Sequence, residues 1–184
     1  MSEQEAPAVQ VEPDTKDWTW VLEQACPECG FDPASVVAGD VAAALRDNAA
    51  SWDDALTDPR AGQRPAPAVW SPVEYACHVR DVNRIFAERA TSMLTEDDPV
   101  FANWDQDQTA VAERYDLQQA AEVAAAVLAT AEQAASVYDS AAGDAWDRPG
   151  RRSNGSVFTV ASLASYHLHD VVHHRWDVRH LAHG

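Results

Sequence analysis

The sequence is poor in positive charge, in cysteine and in uninterrupted apolar runs, and each shortage removes a class of function. Thirteen Lys and Arg face 30 Asp and Glu, a formal charge of −17. Phosphate backbones are held by clustered Lys and Arg, so this balance argues against a nucleic-acid partner and repels anionic membrane surfaces. No apolar run approaches the ~18 residues of a membrane span. The opening "MSEQEAPAVQVEPDTKD" is acidic, lacks the basic and then apolar segments of a secretory signal, and reads as a disordered lead over 1–17. Three cysteines, Cys26, Cys29 and Cys77, cannot form a fully paired disulfide framework, so the cytoplasm is the expected compartment. A glycine-rich phosphate cradle and a Gly-x-Ser-x-Gly elbow are both missing.

Alanine supplies much of the 46% apolar share, which favours helix over sheet. Residues 18–184 suit one domain. Asp32 with Pro33 opens an expected helix over 33–57. Ser71, Pro72 and Glu74 form a capping box that opens a second, in "SPVEYACHVRDVNRIFAERATSML". Asp116 with Gln119 caps an alanine-rich third helix, and Thr159 begins a fourth that runs to about residue 182. The polar stretch 95–115 is too long for an ordinary connection. No convincing hairpin is read elsewhere, and Asn154-Gly155 is a weak turn signal for one. The expected fold is all-α, a four-helix bundle with a long crossover loop between helices two and three.

Histidine is what the chain has in unusual measure. "SYHLHDVVHHRWDVRH", residues 165–180, holds five of its seven. At about 100° per residue, Val160, Leu163, Ala164, Val171, Val178 and Leu181 share one arc of the fourth helix. His167 and His174 fall inside that arc and Asp170 sits at its edge, one turn before His174. His169 and His173 project away, beside Tyr166, Trp176 and His180, onto an outer or interhelical face. In helix two, His78 lies in the stripe of Tyr75, Val82, Ile85, Phe86 and Met93. His78, Asp170 and His174 are therefore the candidate metal ligands. Two imidazoles and a carboxylate suit zinc, nickel or iron and leave a coordination position open, as catalytic sites do. A buried histidine is also an ordinary hydrogen-bonded core residue, and for His167 a supporting, substitute-ligand or core role stays open.

These residues resemble those of the DinB-like superfamily, which includes mycothiol-dependent maleylpyruvate isomerases and YfiT-like proteins. The matching pieces are "WSPVEYACHVRD" and "HDVVHHRWDV", which place Trp70 and His78 on the family's first element and Asp170 and His174 on its ligand pair. Asp170 stands where the family has His or Glu, and its side chain reaches less far. The resemblance implies an up-down-down-up bundle with zinc or nickel. It also implies S-transfer or isomerisation of a small electrophile with mycothiol or another small thiol. The rival expectation is a non-catalytic metal- or small-molecule-binding protein, with a homodimer through the His/Trp face of helix four.

Three further features are candidates. The CxxC at Cys26 and Cys29 is half of a zinc site. It reads either as a reduced pair in a turn or as a site completed by His180 and His183. Trp104, Asp105, Asp107 and Glu113 are expected in a lid over the bundle mouth. Arg148, Arg151 and Arg152, the chain's one basic cluster, are candidate binders of a carboxylate or a sugar-thiol's polar groups, or a solvated loop.

Overall fold

The computed structural model describes Val11 and residues 16–181; the rest of the expected lead, and His183, lie outside the described residues. Six α-helices run α1 Val41–Ala50, α2 Asp53–Thr57, α3 Pro72–Thr95, α4 Gln106–Ala112, α5 Ala120–Asp139 and α6 Val160–Leu181, with strands β1 Val100–Phe101, β2 Pro149–Arg152 and β3 Val157–Thr159. The chain is thus mostly helical with a small three-stranded sheet. Helix α3 packs against α5 and α6, and α1 packs against the same two. The core lies among these four. Val79, Val82 and Met93 of α3 are buried, as are Val127 and Ala134 of α5 and Leu163 and Ala164 of α6.

The local signals explain where the helices start. Ser71 Oγ accepts from the Glu74 backbone N–H at 3.3 Å while Glu74 Oε2 accepts from the Ser71 N–H at 2.8 Å, so both halves of the capping box are made. Glu74 is buried, and Arg64 pairs with it through Nε at 2.9 Å. An uncompensated buried carboxylate would be costly, so this pair pins the approach to α3 and the position of Trp70. Helix α6 opens with a reciprocal pair in which Ser162 N–H donates to Thr159 Oγ1 at 3.1 Å and Thr159 N–H donates to Ser162 Oγ at 2.9 Å.

Three expectations are corrected. The helix expected over 33–57 is broken. Asp32 does cap, accepting from the Ala34 N–H, but only a 3-10 turn at Pro33–Ser35, after which Val36 and Val37 are extended. The chain re-enters helix at Val41, and Trp52 interrupts it again before α2. The second correction is to the all-α expectation. Asn154-Gly155 does turn the chain, with Gly155 at φ +99, and β2 pairs antiparallel with β3. Strand β1, from the 95–115 stretch, adds in parallel to β2. The expected caps of the third helix are also displaced, since Asp116 lies in a 3-10 turn at Tyr115–Leu117 and Gln119 makes no side-chain cap bond.

Arg148 fastens the hairpin to α3, donating through Nε to the Met93 carbonyl at 2.6 Å and through a terminal nitrogen to the Glu96 carbonyl at 2.6 Å. These are helix-end carbonyls that α3 cannot satisfy itself. Gly150 lies directly over the buried Met93 side chain, and a Cβ there would meet Met93 Cγ at 2.5 Å and Sδ at 2.8 Å. Gly150→Ala should cost about 1–3 kcal/mol by overpacking. Urea denaturation checks this, and the midpoint should fall with the slope unchanged.

Candidate metal centre

Two turns of α6 and one of α3 meet under the 95–115 segment. Asp170 Oδ1 lies 3.5 Å from His78 Nε2 and 3.4 Å from His174 Nε2, and the two rings stand edge-to-face with centroids 4.5 Å apart. Ligands at about 2.0–2.2 Å from one tetrahedral ion are separated by about 3.4 Å, so these spacings fit a shared cation. His78 Nε2 and Asp170 Oδ1 are buried and have no hydrogen-bond partner among the described residues. Unpartnered buried polar atoms are rare because they forfeit hydration. Their convergence is what a metal site requires. His174 Nδ1 faces Asp177 Oδ2 at 3.0 Å, which holds the N–H on Nδ1 and aims the Nε2 lone pair at Asp170.

Burial pushes the His78 imidazole below its ordinary pKa, and the neighbouring His174 adds to the effect. Burial alone would raise the Asp170 carboxyl, but the flanking imidazoles of His78 and His174 hold it below the usual carboxylate range. A neutral imidazole beside an ionised carboxylate is the state a cation needs. Trp104 stacks on His78 with centroids 5.4 Å apart and planes 8° apart, and Trp70 packs against the same ring at 5.5 Å.

The site opens into a cavity of about 840 Å³ whose lining includes Trp70, Tyr75, Trp104, Asp105, Asp107, Arg152, Asp170, His174 and Asp177. The expected lid residues Trp104, Asp105 and Asp107 do line it. Trp104 Nε1 donates to Thr109 Oγ1 at 2.8 Å, and Asp105 caps α4. Glu113 is exposed outside the lining. Of the three candidate arginines, Arg152 alone reaches the cavity, lying over the Phe158 and Tyr166 rings. Arg148 holds the end of α3, and Arg151 pairs with Asp98 on the surface. Burial pushes the Tyr75 hydroxyl up to about 12, so it stays protonated at the cavity wall. Burial likewise pushes the Cys77 thiol up to about 12, which leaves it a poor nucleophile.

A model of the DinB superfamily matches residues 9–178. The chain belongs to the DinB superfamily. Among solved structures, YfiT from Bacillus subtilis, described as a probable metal-dependent hydrolase with an unusual four-helix bundle topology, superposes on this DinB protein with a TM-score of 0.70. Identity is 14%, with 83% of this chain and 91% of that chain covered, so the likeness shows a common fold. No curated protein matches the sequence. Among the described residues, no helix of this DinB chain is long and apolar enough to cross a membrane.

The remaining histidines divide in two. His167 is a core residue. Its Nε2 lies 2.9 Å from Asn83 Oδ1, its Nδ1 lies 3.3 Å from the Tyr138 hydroxyl, and it stacks on Phe86. His169 and His173, expected on an outer or interhelical face, are buried beneath residues 16–31 and share a cluster with Cys26 and Cys29. His180, which one of the two readings gave to the cysteines, stacks on Trp176 at 4.1 Å, the neighbour the helical projection gave it, and bonds through Nδ1 to the Trp176 carbonyl at 2.7 Å. The wheel missed this because it measures direction from the helix's own apolar arc, and the cover comes from distant sequence. The i, i+4 pairing of His169 and His173 was the signal that could have found it.

Burial depresses the His167 pKa to about 3, against about 6.5 in an unfolded chain. The folded state therefore binds fewer protons there, so stability is full above about 6.5 and is lost as pH falls towards 3. Replacing His167 with Gln should make the pH dependence of unfolding free energy shallower by about 1.4 kcal/mol per pH unit between about 6 and 4. Chemical denaturation at a series of pH values checks this, and an unchanged slope would contradict it.

Proposed function

We propose that this protein is a metal-dependent enzyme in which His78, Asp170 and His174 hold one divalent cation, zinc or nickel, and that it acts with a low-molecular-weight thiol on a small electrophile. The observation that carries the reading is the Asp170 carboxylate between two imidazole Nε2 atoms, two of these three atoms buried without another partner, at the wall of a cavity large enough for a thiol and its substrate. The superfamily membership and the description of YfiT as metal-dependent support it.

A cation held there supplies Lewis acidity, lowering the pKa of a thiol or water ligand towards neutrality. The chain's own side chains do the rest. Asp177 fixes the tautomer of His174. Trp70 and Trp104 cover His78 and keep water from that flank. The Tyr75 hydroxyl offers a proton at the wall, and Arg152 offers the guanidinium to seat a carboxylate or polar group of the thiol. Asp105, Asp107 and Asp177 face the same cavity, so a neutral electrophile fits its acidic field better than an anionic one. With water in place of thiol, the same arrangement serves hydrolysis, the reaction class named for YfiT.

Metal analysis of protein purified without a histidine tag tests the reading. His174→Ala should remove one equivalent of metal, and Asp177→Ala should weaken binding at this position by about 10–100-fold. Metal content unchanged by His174→Ala would contradict it. A turnover panel with mycothiol, bacillithiol and glutathione, with a no-thiol arm, separates the chemistries. Thiol-dependent turnover lost on chelation and restored by zinc supports transfer or isomerisation. Turnover without thiol would reassign the enzyme to hydrolysis.

A further inference from the structure

We propose a second metal site, a closed zinc centre made by Cys26, Cys29, His169 and His173, which clamps the N-terminal segment onto α6. One ligand atom from each of the four residues lies within 4.8 Å of all the others. Cys26 Sγ is 3.6 Å from His173 Nδ1. A sulfur at about 2.3 Å and a nitrogen at about 2.0–2.1 Å from one tetrahedral zinc are separated by about 3.6 Å, so this edge of the polyhedron is already formed.

Three independent features point to a cation. His169 is 97% buried from its 3% exposure, and its Nε2 has no hydrogen-bond partner among the described residues. The ring is enclosed by Trp18 and Phe31, so no solvent compensates that nitrogen. His173 turns its other nitrogen to carboxylates, with Nε2 3.5 Å from Glu28 Oε2 and 3.7 Å from Asp177 Oδ1. A carboxylate behind a histidine whose far nitrogen faces a cysteine sulfur is the usual support of a zinc ligand. The cysteine loop also has the form of a metal knuckle. Gly30, at φ +75, reverses the chain so that the Gly30 N–H donates to the Cys26 carbonyl at 3.0 Å, and the Cys26 N–H donates to the Phe31 carbonyl at 2.8 Å.

Two thiolates and two imidazoles select zinc over the harder cations, and binding would release the two thiol protons to solvent. Four protein ligands leave no open position, so the role is structural. The centre joins residues 147 apart in sequence, and in doing so it fixes Trp18, Glu28 and His173 as one wall of the cavity.

Tag-free full-length protein, the double variant Cys26→Ser/Cys29→Ser and His174→Ala are compared for zinc content. The double variant should lose one equivalent, and His174→Ala should retain it, so this site and the one at His78, Asp170 and His174 stand or fall separately. In hydrogen exchange the double variant should lose protection over residues 16–31 while α3 and α5 keep theirs. Should that variant fail to fold, the unmodified protein still decides. A mercurial thiol reagent should release one zinc equivalent, and cobalt loading should give the sulfur-to-cobalt charge-transfer absorption of tetrahedral thiolate coordination. Zinc that is not released by thiol modification, cobalt without that absorption, or a Cys26–Cys29 disulfide in the isolated protein would overturn the proposal.

Discussion

The Asp170 carboxylate lies between imidazoles carried by two different helices, and a buried charge in that position must be compensated by its neighbours or by an ion. Moving either ring away would leave the carboxylate to bear its desolvation alone. The spacing between α3 and α6 at this level is therefore constrained by chemistry as well as by packing. The features that set that spacing lie nearby: the capping box and the Arg64–Glu74 pair fix the start of α3, and the Thr159–Ser162 pair fixes the start of α6.

Asp177 connects this arrangement to its surroundings. One of its oxygens faces His174 Nδ1 at 3.0 Å and the other lies 3.7 Å from His173 Nε2. Adjacent histidines on α6 thus point to different neighbours, His174 towards α3 and His173 towards the cysteine loop, and share a single carboxylate. The segment covering His169 and His173 also supplies Trp18 and Glu28 to the cavity lining, so the order of that segment and the shape of the cavity are one structural question.

Much of this was legible in residues alone, where short-range chemistry decides the outcome. Ser71-Pro72-x-Glu74 starts a helix wherever it is placed before an apolar stripe, and rotation per residue then puts His78, Asp170 and His174 on inward faces. The unreadable parts depend on distant contacts. Val36 and Val37 fall inside the expected first helix yet are extended, since Asp32 and Pro33 sustain only one turn. Residues 149–159 form a hairpin because β2 gains a second partner in β1, from a segment about fifty residues earlier, and because Gly150 seats on Met93. His169 and His173 looked outward because nothing in α6 announces what covers it. The CxxC reads from sequence as half of a zinc site, but its helical partners His169 and His173 lie about three turns before His180 and His183.

The most direct test of the central claim is anomalous diffraction at the metal edge from crystals of the tag-free protein. One peak is expected within about 2.0–2.2 Å of His78 Nε2, His174 Nε2 and an Asp170 carboxylate oxygen together. A structure in which those three atoms diverge, or in which every metal peak lies away from them, would contradict the account.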